Sequence, residues 1–99
     1  MSLTILLYYT GRDGNARRFA EEMVHSGLVD AVRAEEGCEA YAYFFPMDDP
    51  EPVLLIDRWR DQAALDAHHK SPLMQQIAVL RDKYHLRLKV ERYVDEHGS

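Results

Sequence analysis

Two short stretches of this chain, Leu3-Thr4-Ile5-Leu6-Leu7-Tyr8-Tyr9 and Val53-Leu54-Leu55-Ile56, are apolar at odd and even positions alike. Successive side chains of a strand point to opposite faces, so strands built from these stretches need cover on both sides. Helices of the same chain can cover only one face of a sheet. Left alone, the other face would present alternate residues of Ile5 to Tyr9, Tyr41 to Phe45 and Val53 to Ile56 as one patch, larger than soluble monomers normally tolerate. Burying about ten large side chains at roughly 1.5 kcal/mol or more each outweighs the other stabilising contributions in view. Isologous pairing of two copies, sheet on sheet, is the simplest closure, so the sequence predicts a homodimer.

The remaining periodicities supply the elements that complete such a sheet. Residues 3 to 10 read as a strand, stopped by Gly11 and Gly14. From Asn15 the period becomes helical: Ala16, Phe19, Ala20 and Met23 form one face, with Asp13 to Asn15 as capping candidates. Gly27 interrupts this helix before Leu28, Val29 and Val32 carry a second stretch to Glu36, and Gly37 supplies its stop. Cys38 to Phe45 is a strand with Tyr41, Tyr43 and Phe45 on one side and smaller residues largely on the other. Residues 46 to 52 make a connection of hairpin length, and Val53 to Trp59 returns as the third strand. Asp61 caps a helix through Ala64, Leu65 and His68; Ser71 then caps another, with Pro72 in its first turn and Leu73, Ile77, Leu80 and Tyr84 as its stripe. Leu86, Leu88 and Val90 alternate with Arg87, Lys89 and Glu91 in a half-exposed last strand. This order, βαββαβ with a split last helix, predicts an α+β fold of ferredoxin-like topology: a four-stranded antiparallel sheet with helices on one face.

Ninety-nine residues, 46% of them apolar, suit one domain over residues 1–99, with a core at about 3–94 and a frayed tail at 95–99. Twelve Lys and Arg stand against 17 Asp and Glu, a net charge of −5, and no basic block exceeds the Arg17-Arg18 pair. Nucleic acid is therefore excluded as a partner, because phosphate binding needs a basic footprint. Cys38 is the lone cysteine, which fits a reducing compartment and a cytoplasmic address. The apolar run at 3–9 has no basic residues before it and no cleavage motif after it, so it reads as neither signal peptide nor membrane span.

Reactive side chains concentrate in Asp57-Arg58-Trp59-Arg60 and in Ala67-His68-His69-Lys70-Ser71-Pro72. Asp57 and Trp59 share strand parity, and the helix bearing His68 begins just afterwards, so these side chains and Tyr41 or Tyr43 of the neighbouring strand can line one pocket between sheet and helices. Such a pocket combines an indole platform, an imidazole able to move a proton near neutral pH, and phenol and carboxylate groups to orient a substrate. Each has a plainer reading: Trp59 as a core or interface aromatic, His68 as a satisfied core histidine, the tyrosines as sheet packing, and Asp57 as the partner of Arg58, Arg87 or Arg92. His69 lies about 100° further round the helix than His68. Adjacent histidines do not share a helix face, and no HExxH, CxxC or 2-His-carboxylate spacing occurs, so no metal is expected. Gly11-Arg12-Asp13-Gly14 is neither GxGxxG nor a Walker loop, and Ser71 is better explained as a cap than as a nucleophile.

At these residues the sequence resembles the antibiotic biosynthesis monooxygenase (ABM) domain family of the dimeric α+β barrel superfamily, over about residues 3 to 94. The resembling segments are Arg33-Ala34-Glu35-Glu36-Gly37-Cys38 leading into Tyr41, Leu55-Ile56-Asp57-Arg58-Trp59-Arg60-Asp61, and Ala64-Leu65-Asp66-Ala67-His68 with Ser71-Pro72-Leu73-Met74. The family pattern has a glycine ending the first helix, an acidic residue two before a strand-end Trp, and a helix ending in His, two residues, then Ser or Thr and Pro. Asp57 stands here where Glu is commoner, and the first strand lacks the Asn that haem-degrading relatives pair with Trp and His, which argues against haem. The resemblance implies a homodimer and, as in characterised members, cofactor-independent oxidation of small aromatic, polyketide-like substrates. Similar domains degrade haem, isomerise small phosphorylated signalling molecules, or have no assigned activity.

The expectation is thus an oxidoreductase of the cofactor-independent monooxygenase type acting on a phenolic or quinol substrate. His68, Trp59 and Asp57 are its catalytic candidates, and Tyr41, Tyr43, His69 and Arg58 its substrate-binding candidates. His68 would deprotonate a substrate resting against Trp59, and the carbanion would react with O₂. The alternatives are a proton-shuttling isomerase of a small polar metabolite, which would consume no oxygen, and a non-catalytic ligand-binding or stress-related dimer, which a pocket filled by side chains would favour.

Overall fold

A computed structural model describes residues 1–95. The elements follow the predicted order: β1 (Leu3–Thr10), α1 (Asn15–His25), α2 (Leu28–Arg33), β2 (Cys38–Phe44), β3 (Val53–Trp59), α3 (Gln62–Lys70), α4 (Pro72–Lys83) and β4 (Arg87–Val94). The strands form one sheet in the order β2-β3-β1-β4, and every neighbouring pair is antiparallel. This is the ferredoxin-like α+β arrangement. Two apolar strands sit in the centre because each gains a ladder on both edges and two faces on which to bury side chains.

Parity sorts the central strands. Leu3, Ile5 and Tyr9 of β1 and Val53, Leu55, Asp57 and Trp59 of β3 are buried under the helices, packed with Phe19 and Met23 of α1, Val32 of α2, Leu65 of α3 and Ile77 of α4. One register row on this side runs Tyr41, Asp57, Ile5, Arg92 across the four strands. The other face carries the rows Ala42, Ile56, Leu6 and Phe44, Leu54, Tyr8 over β2, β3 and β1, all half-buried apart from Phe44, which is exposed.

Several local readings change. The residue before α1 is Gly14, at φ 77°, and no side chain caps that helix; its backbone N–H donates instead to Glu51 Oε2 at 3.2 Å. The second helical stretch stops at Arg33 rather than Glu36, and residues 34–37 form a turn that ends with Gly37 at φ 81°. Asp61 does cap α3, accepting from the Ala64 N–H at 2.9 Å, whereas the Ser71 hydroxyl is buried without a hydrogen-bond partner. β4 is exposed on both parities apart from Glu91, because the helix layer does not reach over this edge strand. Asp95 at the start of the predicted tail donates its N–H to the carbonyl of Ser2, just before β1, at 2.9 Å, and the rest of that tail lies outside the described residues.

Candidate active site

β3 ends in the first half of the site. Asp57 and Trp59 point to the helix side, and the indole Nε1–H donates to Asp57 Oδ1 at 3.1 Å, both groups being buried. Burial disfavours the charged carboxylate and pushes the Asp57 carboxyl up from 3.8 to about 7, with the indole hydrogen bond partly offsetting it. Near neutrality Asp57 therefore exists in both protonation states. None of Arg58, Arg87 and Arg92 supplies the partner considered from sequence; the indole does.

α3 brings the second half. Asp61 fixes the start of this helix, and Ala64, Leu65 and His68 form its buried face. The His68 ring stacks on Trp59 with centroids 4.6 Å apart and planes at 26°, and Tyr41 meets it edge-on at 6.4 Å. Its Nδ1 lies 2.6 Å from Glu35 Oε1, in the turn after α2. A short contact of this kind between imidazole and carboxylate fixes the ring's orientation.

A cavity of about 340 Å³ opens between the sheet and α3/α4. Its walls are largely apolar, with Ile5, Leu7, Leu55, Leu65, Met74 and Ile77 among them, and its polar groups are Tyr9, Tyr41, Asp57, His68, His69, Arg81 and Arg92. Space remains for a ligand. Along β4 the wall is made by Leu88 and Val90, both well exposed.

Asp57, His68, His69 and Tyr41 thus reach one cavity. His68 is buried and His69 exposed, and burial together with the neighbouring His68 lowers the His69 pKa. Trp59 is fully buried and does not line the cavity; it lies behind His68 as a backing plate rather than as a surface for a ligand. Tyr43 is also set back, edge-on to Tyr41 and Phe19, with its hydroxyl buried and unpartnered. Desolvation raises the pKa of both tyrosines, so both remain neutral phenols near pH 7. Arg58 is not brought to the cavity. Its alternate parity turns it to the other sheet face, where it pairs with Glu39 at 3.1 Å and Asp95 at 3.3 Å.

Four polar residues of the site were not among the sequence candidates: Tyr9, Glu35, Arg81 and Arg92. For Arg92 a signal existed, since it continues the parity of Leu88 and Val90; for Arg81 it was the spacing of four from Ile77. Among the described residues no three His, Cys, Asp or Glu side chains are grouped so as to hold a metal ion, and no helix is long and apolar enough to cross a membrane.

Comparison with known proteins agrees with this architecture. The sequence profile of the family described as "Antibiotic biosynthesis monooxygenase" matches residues 2–79. The Escherichia coli (strain K12) protein named "Probable quinol monooxygenase YgiN" is 31% identical over 84 residues, covering 74% of this chain and 78% of that protein. Among solved structures, PA3566 from Pseudomonas aeruginosa superposes with a TM-score of 0.80 at 26% identity, covering 95% of this chain and 93% of that one. A variant of SnoaB, described as a cofactor-independent oxygenase from Streptomyces nogalater, superposes at 0.79 over 96% of this chain and 93% of its own; at 13% identity that likeness concerns the fold alone.

Proposed function

The chain belongs to the antibiotic biosynthesis monooxygenase family, and on that premise we propose that it oxidises a small phenolic or quinol-type aromatic substrate with O₂ and without a cofactor. The observation that carries this reading is the His68 ring at the wall of a largely apolar cavity, backed by Trp59 and held at Nδ1 by Glu35. The similarity to the E. coli protein named "Probable quinol monooxygenase YgiN" supports the substrate class.

In this reading Glu35 accepts the Nδ1–H, which leaves Nε2 as the lone-pair atom of His68. Nε2 takes the proton from an acidic C–H or O–H of a ring lying against the aliphatic walls, and the Glu35 carboxylate steadies the resulting imidazolium. Tyr41 and the protonated form of Asp57 donate hydrogen bonds to substrate oxygens. Electrons for O₂ come from the deprotonated substrate itself. At a methylene between phenolic rings, a hydroperoxide forms at carbon and loses water: the methylene becomes a carbonyl, one oxygen atom stays in the product, and the other leaves in water. Trp59 acts as a positioning residue through its stack on His68 and its hydrogen bond to Asp57.

Oxygen uptake with anthrone and with menadiol, in the presence of a chelator and with labelled O₂, tests the proposal. Label in the new carbonyl of the anthrone product, quinone and hydrogen peroxide without label in the quinone from menadiol, and a loss of about 100-fold or more in kcat for His68→Ala are expected. Unchanged turnover in both His68→Ala and Trp59→Phe would discard the residue roles, and product formed without oxygen uptake would indicate isomerisation instead.

The same reading takes the working form as a cytoplasmic homodimer. The rows Ala42, Ile56, Leu6 and Phe44, Leu54, Tyr8 lie side by side on the sheet face away from the helices, and a second copy of that face is their self-complementary cover. Sedimentation at micromolar concentration is expected to give the dimer mass; a monomer there would remove this part of the proposal.

A further inference from the structure

The cavity carries two cations that no acidic group among the described residues answers. Arg81 of α4 and Arg92 of β4 both line it, and among the described residues neither has a carboxylate within ion-pair distance. In a chain with 17 Asp and Glu against 12 Lys and Arg, acidic partners are in surplus, so the lack of one at both positions is informative. Each guanidinium is instead steadied by a neutral group. Arg92 Nη2 donates to Gln62 Oε1 at 2.5 Å, and Gln62 in turn donates from Nε2 to Asp66 Oδ1 at 2.8 Å. Arg81 lies beside the Tyr9 hydroxyl. Asp57, the one acidic residue lining the cavity among the described residues, has its hydrogen bond from Trp59 rather than from either arginine.

From this arrangement we infer that Arg81 and Arg92 form an anion subsite that holds a carboxylate, or an equivalently ionised oxygen, on the aromatic substrate. The inference rests on the proposed aromatic substrate and narrows it to an acid. A guanidinium presents a rigid fork of donors that matches a carboxylate in two parallel hydrogen bonds, and partners such as Gln62 fix the fork without neutralising it. The register shows how an acid at this place would aim the ring. Arg92 and Asp57 flank Ile5 in one row, two strand spacings or about 10 Å apart. A ring lying over Ile5 with its acid at Arg92 presents its opposite edge to Asp57, Tyr41 and His68, the groups proposed to act on it.

Calorimetric titration of the whole protein with 2-naphthoate and with its neutral isostere 2-naphthamide tests the subsite without any turnover. The wild-type protein is expected to bind naphthoate at least tenfold more tightly than the amide, and the advantage should shrink as salt is raised. Arg81→Gln and Arg92→Gln should each weaken naphthoate about tenfold and leave the amide unchanged, while Arg18→Gln, on α1 outside the cavity, changes neither. Equal affinity for the two probes, no binding of naphthoate, or equal loss of both probes in the arginine variants overturns the inference. Thermal unfolding of each variant separates the last outcome from a failure to fold. Oxidation of neutral menadiol together with absent naphthoate selectivity would sink the subsite alone, whereas selective naphthoate binding without oxygen uptake on any arene would sink the oxidation and leave the subsite.

Discussion

Glu35 Oε1 stands 2.6 Å from His68 Nδ1, joining the turn after α2 to the end of α3 across 33 residues of sequence. The contact is shielded: the His68 side chain is 4% exposed and that of Glu35 19%. Replacing Glu35 by Gln keeps an oxygen that can accept from Nδ1–H and removes the charge that favours the imidazolium. Turnover of an oxidised arene is expected to fall about 10- to 100-fold with little change in KM, the pattern of a group that acts on the transition state through another residue. Nitrogen NMR of the His68 ring gives a second readout, with loss or exchange of the Nδ1 proton in the variant. Unaltered kcat together with an unaltered ring spectrum would reduce the pair to packing.

Asp57 gives the fold a pH dependence of definite sign. Its carboxyl is raised from 3.8 to about 7 by burial, so between roughly pH 4 and pH 7 the folded protein holds a proton that the unfolded chain releases. Stability from this group therefore falls as pH rises through that window and levels off above it, a total on the order of 4 kcal/mol for a shift of about three units at about 1.4 kcal/mol each. Asp57→Asn keeps an acceptor for the Trp59 N–H and cannot ionise. Urea unfolding at fixed protein concentration should show the variant gaining on the wild type between pH 4.5 and pH 8, while the two nearly coincide at the acid end. Parallel pH profiles would mean that the buried carboxyl is not the group responsible.

What the sequence makes legible here follows the range of the signals. The strands could be placed because Leu3 to Tyr9 and Val53 to Ile56 are unbroken apolar runs, and Asp57, Trp59 and His68 could be grouped because parity and helix phase act over a few residues. Glu35 could not: its role rests on how the turn after α2 meets α3, and an acidic residue beside Glu36 in a turn looks like any solvated charge. Arg81 and Arg92 were obscured differently. Each lies in phase with apolar residues, but long cationic side chains at the edge of an amphipathic element usually reach for water, and only the missing carboxylate partners distinguish these two. Parity gives the face on which Trp59 lies but not how deeply it is covered, so its place behind His68 rather than at the cavity wall is not legible from the strand pattern.

Gly37 links the fold to that contact. Its φ is 81°, in the left-handed region, and a Cβ built on it would lie 2.4 Å from the Ala64 Cβ. Ala64 precedes His68 by one helical turn on the same face of α3. Gly37→Ala therefore combines backbone strain with a push on the helix that carries His68, and a loss of about 2 kcal/mol or more is expected in denaturant unfolding. The double variant with Ala64→Gly removes the opposing methyl. Although that second change alone costs about 1 kcal/mol in a helix interior, the pair should be more stable than the sum of the two losses predicts. Strict additivity would show that the strain at residue 37, rather than the approach of α3, carries the whole cost.

The two helix starts on either side of His68 should respond to mutation in opposite ways despite similar chemistry. Asp61 accepts from the Ala64 N–H at 2.9 Å, and its carboxyl is held below the ordinary aspartate range chiefly by that bond. Asp61→Ala removes the acceptor from the first turn of α3 and should cost about 1 kcal/mol. Ser71 holds the equivalent place before α4, yet its hydroxyl is buried without a partner, and the Met74 N–H donates to the Ser71 carbonyl rather than to its side chain. Removing an unpaired buried hydroxyl relieves a desolvation cost that no hydrogen bond offsets, so Ser71→Ala is expected to leave stability within about 0.5 kcal/mol of the wild type or to raise it. Thermal unfolding of both variants at one protein concentration decides between this assignment and a working serine cap, for which the two losses would be alike.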